Sequence, residues 1–409
     1  LIHVFQGGQG LPKNEDIVIV SAARTPIGDF GGSLASVRAH ELAALVINEV
    51  IARAGLPNDV FSDVILGDCI QAPDEANTAR TAVLKAGLPV DVPAVTIQRQ
   101  CSSAMQAVVF GAQQIAAGDS DVVIAGGVES MSNAPYALMT ARWGQRLRHG
   151  EMTDVMWELL HSGSRILGEP FIMGETAENL AEKYDISRED QDEVALRSHH
   201  NAQAAVEGGK FKDEIVAVTI PQRKGDPKVV DTDEHVRFGL KMEDLTKLKP
   251  AFKRDGTVTA GNSSGLNDGA AAVIVMRRDK AQSLGLTPLA AIKANAVAAV
   301  DPRTMGYGPV PSTQKALDRA GLALGDVELI EVNEAFAAQY LAVERGLGLN
   351  RDITNVNGSG IGLGHPVGCT GARIMISLLY EMARRDVNLG LATLCVGGGM
   401  GMSVILERG

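Results

Sequence analysis

Apolar residues fall along this chain in two periods, and their alternation indicates the fold class. Residues 16–21 (DIVIVS) form a short continuous apolar run, the pattern of a buried strand. Turn residues fill 22–28. Residues 40–55 (HELAALVINEVIARAG) repeat apolar positions at helical spacing and stop at Gly55. A strand follows over 64–66. Residues 102–118 predict a helix with Met105, Val108, Val109, Ala112 and Ile115 on one side, and 121–125 (DVVIA) a strand running into Gly126-Gly127. The same rhythm returns late in the chain. Strands are predicted at 270–276, 289–294, 329–332 and 391–395, and helices at 312–321 and 371–384. Such alternation predicts an α/β protein with buried sheets.

The two ends echo each other. In each, a turn bearing a reactive side chain opens a helix, the helix leads to an apolar strand, and the strand runs into consecutive glycines. The first instance is Cys101 to Gly126-Gly127 and the second His365 to Gly397-Gly398. A diverged internal duplication is expected. Between them, residues 131–261 have a different texture. Both tryptophans (Trp143 and Trp157) lie here, with Met139, Met152, Met156, Met173 and the basic group Arg142, Arg146 and Arg148. A charged helical stretch covers 185–205 and a polar, loop-like one 223–235. This segment is either an insertion covering a site or an ordinary helical subdomain.

Composition narrows the function classes. A length of 409 residues suggests two or three domains, and 45% hydrophobic with 21% charged residues excludes a disordered chain. Glycine, at 45 residues, exceeds the usual share of roughly 7% and calls for a reason. The net charge of −11 with no basic block argues against nucleic-acid binding, although a local basic patch can still hold an anion. No apolar run approaches the roughly 20 residues of a membrane span, and no signal-peptide pattern is found. The opening LIHVFQGGQGLP fits no core pattern and reads as a remnant or a frayed arm. Cysteines stand at 69, 101, 369 and 395 without CxxC spacing, so neither a zinc site nor a disulfide framework is expected. Free thiols in a reducing cytosol are the natural reading.

Four positions could carry chemistry. Cys101 directly precedes an amphipathic helix, whose free N–H groups and positive end favour a thiolate and lower its pKa; the alternative is an inert buried cysteine. His365 lies in NGSGIGLGHPVGCTGAR (357–373), which is no dinucleotide fingerprint because Leu363 breaks GxGxxG. It is either a general base or a structural histidine. Cys395 ends a strand and runs into VGGGMG, where N–H groups from Gly397 onward could form an oxyanion hole; it is otherwise a core cysteine. Asn333 opens NEAF at another strand end. Two cysteines, a histidine and an asparagine at glycine-flanked ends form a set suited to two-step acyl transfer with carbon–carbon bond making or breaking.

QCSSAMQA, VNEAFA, GIGLGHPVGCTGAR and LCVGGGMG, in this order, resemble the thiolase family. SAARTPIG at 21–28, AGGVESMS at 125–132, PAF at 250–252 and TAGNSSGLNDGAAA at 259–272 extend the resemblance over about residues 16–407. It implies two αβα halves forming a five-layer αβαβα core. The implied division is 13–130 and 267–289 for the N-terminal half, 131–266 for a loop domain over the coenzyme A site, and 290–409 for the C-terminal half. Cys101 resembles the acylated nucleophile and Cys395 the acid/base cysteine. His365 resembles the activator of Cys101 and, with Asn333 acting through a water, the thioester oxyanion hole. The N–H groups of Cys101 and Gly397 match the second hole. Arg237, Phe252, Ala260, Ser264, Met305, Ala335 and Phe336 fall where the family contacts coenzyme A or its pantetheine arm.

The implied reaction condenses two acetyl-CoA to acetoacetyl-CoA and CoA, or cleaves a 3-ketoacyl-CoA with CoA. It needs no metal and no bound organic cofactor beyond the CoA substrate. A cytoplasmic homodimer or homotetramer is implied. Two departures stand out. Ile172 precedes Met173 where the acetoacetyl-specific subgroup commonly has His, which leaves a longer-chain or 3-oxoadipyl-type degradative thiolase open. Cys369 replaces a frequent Ala and reads as packing. A decarboxylating ketosynthase would want a second His at NEAF, and a non-catalytic CoA-binding or thiol-sensing protein would not need all four polar groups.

Overall fold

The computed structural model describes residues 16–147 and 149–409, so the opening twelve residues and Arg148 of the basic group lie outside the described residues. The first half runs β1 (Ile17–Arg24), α1 (Ala39–Ala54), β2 (Asp63–Gly67), α2 (Thr78–Ala86), β3 (Ala94–Ile97), α3 (Ser103–Ala117) and β4 (Val122–Ser130). Helices α4 (Val155–His161), α5 (Met173–Lys183) and α6 (Arg188–Glu207) then precede β5 (Asn267–Arg277). The second half runs β6 (Ala290–Ala299), α7 (Pro309–Ala320), β7 (Leu329–Val332), α8 (Ala337–Leu347), α9 (Val367–Arg385), β8 (Leu389–Val396) and β9 (Met400–Glu407). The order across the main sheet is β7-β8-β9-β6-β1-β5-β4-β2-β3, with the two-residue strand Gly28–Asp29 beside β5. The halves join where β1 pairs with β6 through Val18–Ala291 and Ile19–Ala290.

Strand periodicity builds the layers, because alternate residues face opposite sides. Val18, Val20, Ala272 and Ile274 pack outward with Leu42, Val46 and Val50 of α1. Ile17, Ile19, Val273 and Val275 pack inward with Met105, Val108 and Val109 of α3. From the other half, Ala392, Leu394, Met402 and Val404 close on the same interior together with Ala372, Met375 and Leu378 of α9. Leu391, Cys395 and Ile405 face the far side, against Ala316 and Leu317 of α7 and Leu341 of α8. The result is the expected five layers, αβαβα, with α3 and α9 in the middle.

Gly126-Gly127 does not end its strand as the pattern suggested. β4 continues to Ser130. A Cβ on Gly126 would lie 2.0 Å from the Ala271 carbonyl oxygen, and one on Gly127 2.2 Å from that of Gly368. Likewise, a Cβ on Gly371 would meet the Met105 nitrogen at 2.6 Å where α9 crosses α3. Part of the glycine excess therefore serves close approach between the central layers. β1 also runs through residues 22–24, which the sequence reading assigned to a turn.

Within residues 131–266, two short hairpins (Tyr136–Ala137 with Thr153–Asp154, and Val218–Ile220 with Lys228–Val230) stay apart from the main sheet. Among the described residues no helix is long and apolar enough to cross a membrane.

Candidate active site

Cys101 sits in a tight turn between β3 and α3. Gln100 takes a left-handed φ of 45°. Its carbonyl oxygen accepts from Ser103 Oγ at 2.7 Å and from Cys69 Sγ at 3.2 Å. Ser102 occupies the N-cap of α3, so Cys101 stands one residue before the cap. The N–H groups of Gly397 and of Cys101 itself point at the Cys101 sulfur and favour its thiolate, but burial outweighs them and pushes the thiol up to about 11. The expectation that the helix end lowers this pKa is therefore corrected. Desolvation in an apolar wall exceeds the pull of the helix end, and the proton needs an acceptor.

His365 can be that acceptor. Its backbone N–H donates to Asn267 Oδ1 at 2.8 Å, fixing the loop just before α9. Burial, assisted by the nearby charge of Arg373, pulls its pKa down to about 3, so the imidazole is neutral. Its tautomer follows from Thr370. The Thr370 hydroxyl donates its one proton to the Pro366 carbonyl at 2.8 Å. Its oxygen, 2.7 Å from His365 Nδ1, then accepts from Nδ1–H. Nε2 keeps its lone pair on the side of Asn333, whose Nδ2 is 3.5 Å away.

Asn333 and Cys395 are fully buried. The Asn333 backbone N–H donates to Thr393 O at 3.0 Å, and its side-chain Oδ1 has no hydrogen-bond partner among the described residues. Glu334 holds the loop behind it: Glu334 accepts from Ser198 Oγ at 2.5 Å and from Asn355 Nδ2 at 2.7 Å, and Ser198 Oγ in turn accepts from Gly362 N. Cys395 is the penultimate residue of β8, its thiol pushed up first by burial and then by Cys101. A Cβ on Gly397 would lie 2.5 Å from Ser162 Oγ, so any side chain there would displace that hydroxyl from the cavity wall.

These groups meet a cavity of about 420 Å³ with mainly apolar walls. Cys101, His365 and Gly397 line it, as do Arg237, Phe252, Ala260, Ser264, Met305, Ala335 and Phe336. Asn333 and Cys395 adjoin this lining, Asn333 beside His365 and Cys395 beside Cys101. Phe252 stacks edge-on against Phe336 with ring centres 5.9 Å apart, over Gly174, where any side chain would strike the Phe252 ring. Backbone bonds from Ser264 N to Ala335 O and from Ala337 N to Asn262 O stitch the 260–264 loop to the NEAF loop. Sequence reasoning did not assign Trp157, Leu159, Leu160 and Ser162 to the site, although they line it beside Ile172. The concentration of both tryptophans in this segment was the available signal. Thr370 and Asn267 were present only as unassigned letters of quoted motifs.

The comparisons agree with this architecture. Residues 17–279 match the thiolase N-terminal domain and residues 286–408 the thiolase C-terminal domain. The chain is 52% identical over 394 residues to an acetyl-CoA acetyltransferase of Pseudomonas aeruginosa, covering 96% of this chain and 100% of that one. The crystal structure of the Bacillus anthracis acetyl-CoA acetyltransferase superposes with a TM-score of 0.94 at 54% identity, covering 97% of this chain and 99% of the other. Human mitochondrial 3-ketoacyl-CoA thiolase in complex with CoA superposes with a TM-score of 0.93 at 41% identity, covering 98% of this chain and 100% of that one. The chain belongs to the thiolase family.

Proposed function

We propose that this protein is an acetyl-CoA C-acetyltransferase that condenses two acetyl-CoA to acetoacetyl-CoA and CoA, and runs the same steps in reverse as thiolysis. The observation that carries the reading is the meeting of Cys101, neutral His365 and the Gly397 N–H on one cavity wall. The Cys101 proton passes to His365 Nε2, and the thiolate attacks the acetyl-CoA carbonyl. The oxyanion is held by His365 together with Asn333. The CoA thiolate leaves and takes the Cys395 proton, which yields acetyl-Cys101, CoA and a Cys395 thiolate. A second acetyl-CoA then gives its α-proton to Cys395, while N–H groups of Cys101 and Gly397 stabilise the enolate oxygen. The α-carbon attacks acetyl-Cys101. The Cys101 thiolate departs and recovers its proton from imidazolium His365, so every proton is returned.

Arg237 at the cavity and the apolar pair Phe252 and Phe336 suit a polyanionic nucleotide joined to a pantetheine arm. The relative solved with CoA supports that ligand. No other cofactor enters the scheme. A cytoplasmic protein belongs to the same reading, and so does a homo-oligomer, which is supported by β3: among the described residues it is a free sheet edge carrying exposed Val95, with Phe110 of α3 also exposed. Ile172 on the cavity wall favours a second reading, a thiolase of longer 3-ketoacyl-CoA substrates. Thiolysis rates over a chain-length series test both. A maximum at acetoacetyl-CoA supports the first reading, and rates rising with chain length support the second. Absence of thiolysis throughout would overturn both.

A further inference from the structure

Behind the nucleophile turn lies a pair of buried acids for which the reaction above has no use. Asp68 directly follows β2 and Glu129 lies near the end of β4; both are fully buried. Glu129 accepts three backbone hydrogen bonds. Two come from the segment after β2, Ile70 N at 3.1 Å and Cys69 N at 3.2 Å, and one from Gly368 N at 2.8 Å in the first turn of α9. The two anchored segments are the two that serve the reaction. Cys69 bonds through its sulfur to the carbonyl of Gln100, the residue before Cys101. Gly368 is three residues past His365. A side chain at Gly368 would come within 2.9 Å of Glu129 Oε2, so glycine lets the helix reach the carboxyl.

Asp68 Oδ2 accepts from Thr78 Oγ1 at 2.5 Å. Its buried Oδ1 makes no hydrogen bond of ordinary geometry among the described residues, and the Asp68 carboxyl lies within reach of the Glu129 carboxyl and of the Ile70 N–H. Among the described residues neither carboxyl has a salt-bridge partner; the titratable groups around the pair include Cys69, Cys101, Cys369 and Glu75, and the nearby cation Arg38 and the imidazole of His40 are taken up by Glu75. Two bare carboxylates in contact, buried and without a counter-charge, repel strongly; one proton between them removes the repulsion and satisfies Oδ1.

We propose that Asp68 and Glu129 share one proton and act as a positioning pair that clamps the Cys101 turn to the His365 helix. Burial raises both carboxyls above their ordinary range; the charge of Asp68 raises Glu129 further and that of Glu75 raises Asp68, while the hydrogen bond with Glu129 works the other way on Asp68. A carboxyl raised in the folded state stays protonated to higher pH than in the unfolded chain. The clamp is therefore intact at low and neutral pH and weakens as pH rises through the folded value.

The proton itself is tested by infrared spectroscopy on the whole protein. A buried protonated carboxyl has a C=O stretch above the carboxylate bands, shifted in deuterated water. That band is expected in the wild type at neutral pH and is expected to change in both Asp68→Asn and Glu129→Gln. Its absence from the wild type overturns the proposal, whether or not the variants fold.

The positioning role is read from the rate of Cys101 acetylation, and this part rests on the reading of Cys101 as nucleophile. Glu129→Ala is expected to slow acetylation about 10²-fold, the scale of a 1 Å misplacement, with KM for acetyl-CoA unchanged. Asp68→Asn, whose amide can supply the bridging hydrogen permanently from the Oδ1 position while Glu129 keeps its three backbone bonds, is expected to retain most of the wild-type rate and flatten its alkaline decline. A normal rate in Glu129→Ala, or an Asp68→Asn as slow as Glu129→Ala, overturns the clamp while leaving the nucleophile assignment standing. If the wild type acetylates elsewhere, the nucleophile assignment fails and the infrared band still decides the shared proton.

Discussion

Cys101 and Cys395 are both thiols raised by burial, yet their company differs. Cys101 has two N–H groups aimed at its sulfur, whereas Cys395 has only its own, among chiefly apolar neighbours and Cys101. In the proposed reaction the first is acylated and the second moves a proton. Cys395→Ser should still acetylate at Cys101 but lose α-proton exchange with deuterated water by about 10²-fold or more, the usual scale of general acid–base catalysis. Near-normal exchange in that variant would move the base to another group, with His365 the next candidate. Thr370 gives a second residue-scale prediction. Thr370→Val removes the acceptor of Nδ1–H and should lower kcat by an order of magnitude or more at unchanged KM, while Thr370→Ser should restore it; one misassigned tautomer has cost a serine protease about 10⁴-fold. Equal rates in the Val and Ser variants would show that the hydroxyl does not set the tautomer. The four principal residues were legible from their glycine-flanked ends. The direction of the Cys101 pKa was not, because a helix end can be read from sequence while the depth of burial around a sulfur cannot.

Among the elements, those with continuous apolar runs or capped helical spacing were legible: β5, β8, α1 and α3 follow their sequence pattern closely, β1 begins where expected but runs on through Arg24, and Gly55 and Gly118 end their helices in the left-handed conformation. β3 was not, since a four-residue, half-exposed edge strand lacks both a run and a clean alternation. β9 was also missed. Its first residues, Met400 and Gly401, continue the glycine turn that marks the end of β8. Gly126-Gly127 misled for a physical reason: in sequence, a pair of glycines that admits a neighbouring backbone looks like a pair that makes a turn. Gly126→Ala tests the close-approach account. A methyl 2.0 Å from the Ala271 carbonyl oxygen must push β5 away from β4, and overpacking of this kind costs about 1–3 kcal/mol, sometimes more. A lowered urea midpoint with an unchanged m-value is expected. An unshifted midpoint would mean that the strands separate freely at this point.

At the scale of the whole molecule, a chain of net charge −11 has to bind a polyanion. Arg237 is the one Lys or Arg among the described residues lining the cavity. Arg237→Ala should therefore raise KM for acetyl-CoA more than it lowers kcat, because the contact lies far from the reacting carbon. The difference from wild type should shrink as salt screens an exposed charge over roughly 10 Å at 0.1 M. An unchanged KM would assign the role to another cation. The five-layer core serves this chemistry by bringing the starts of α3 and α9 together between two sheet halves, so that residues 264 positions apart, Cys101 and His365, share one wall. The central claim is that Cys101 carries the acyl group. Incubation with acetyl-CoA followed by proteolysis and mass spectrometry tests it directly. The account predicts a single acetyl thioester on Cys101, absent from Cys101→Ala and discharged by added CoA. An acetyl group found mainly on Cys69, Cys369 or Cys395 would contradict it.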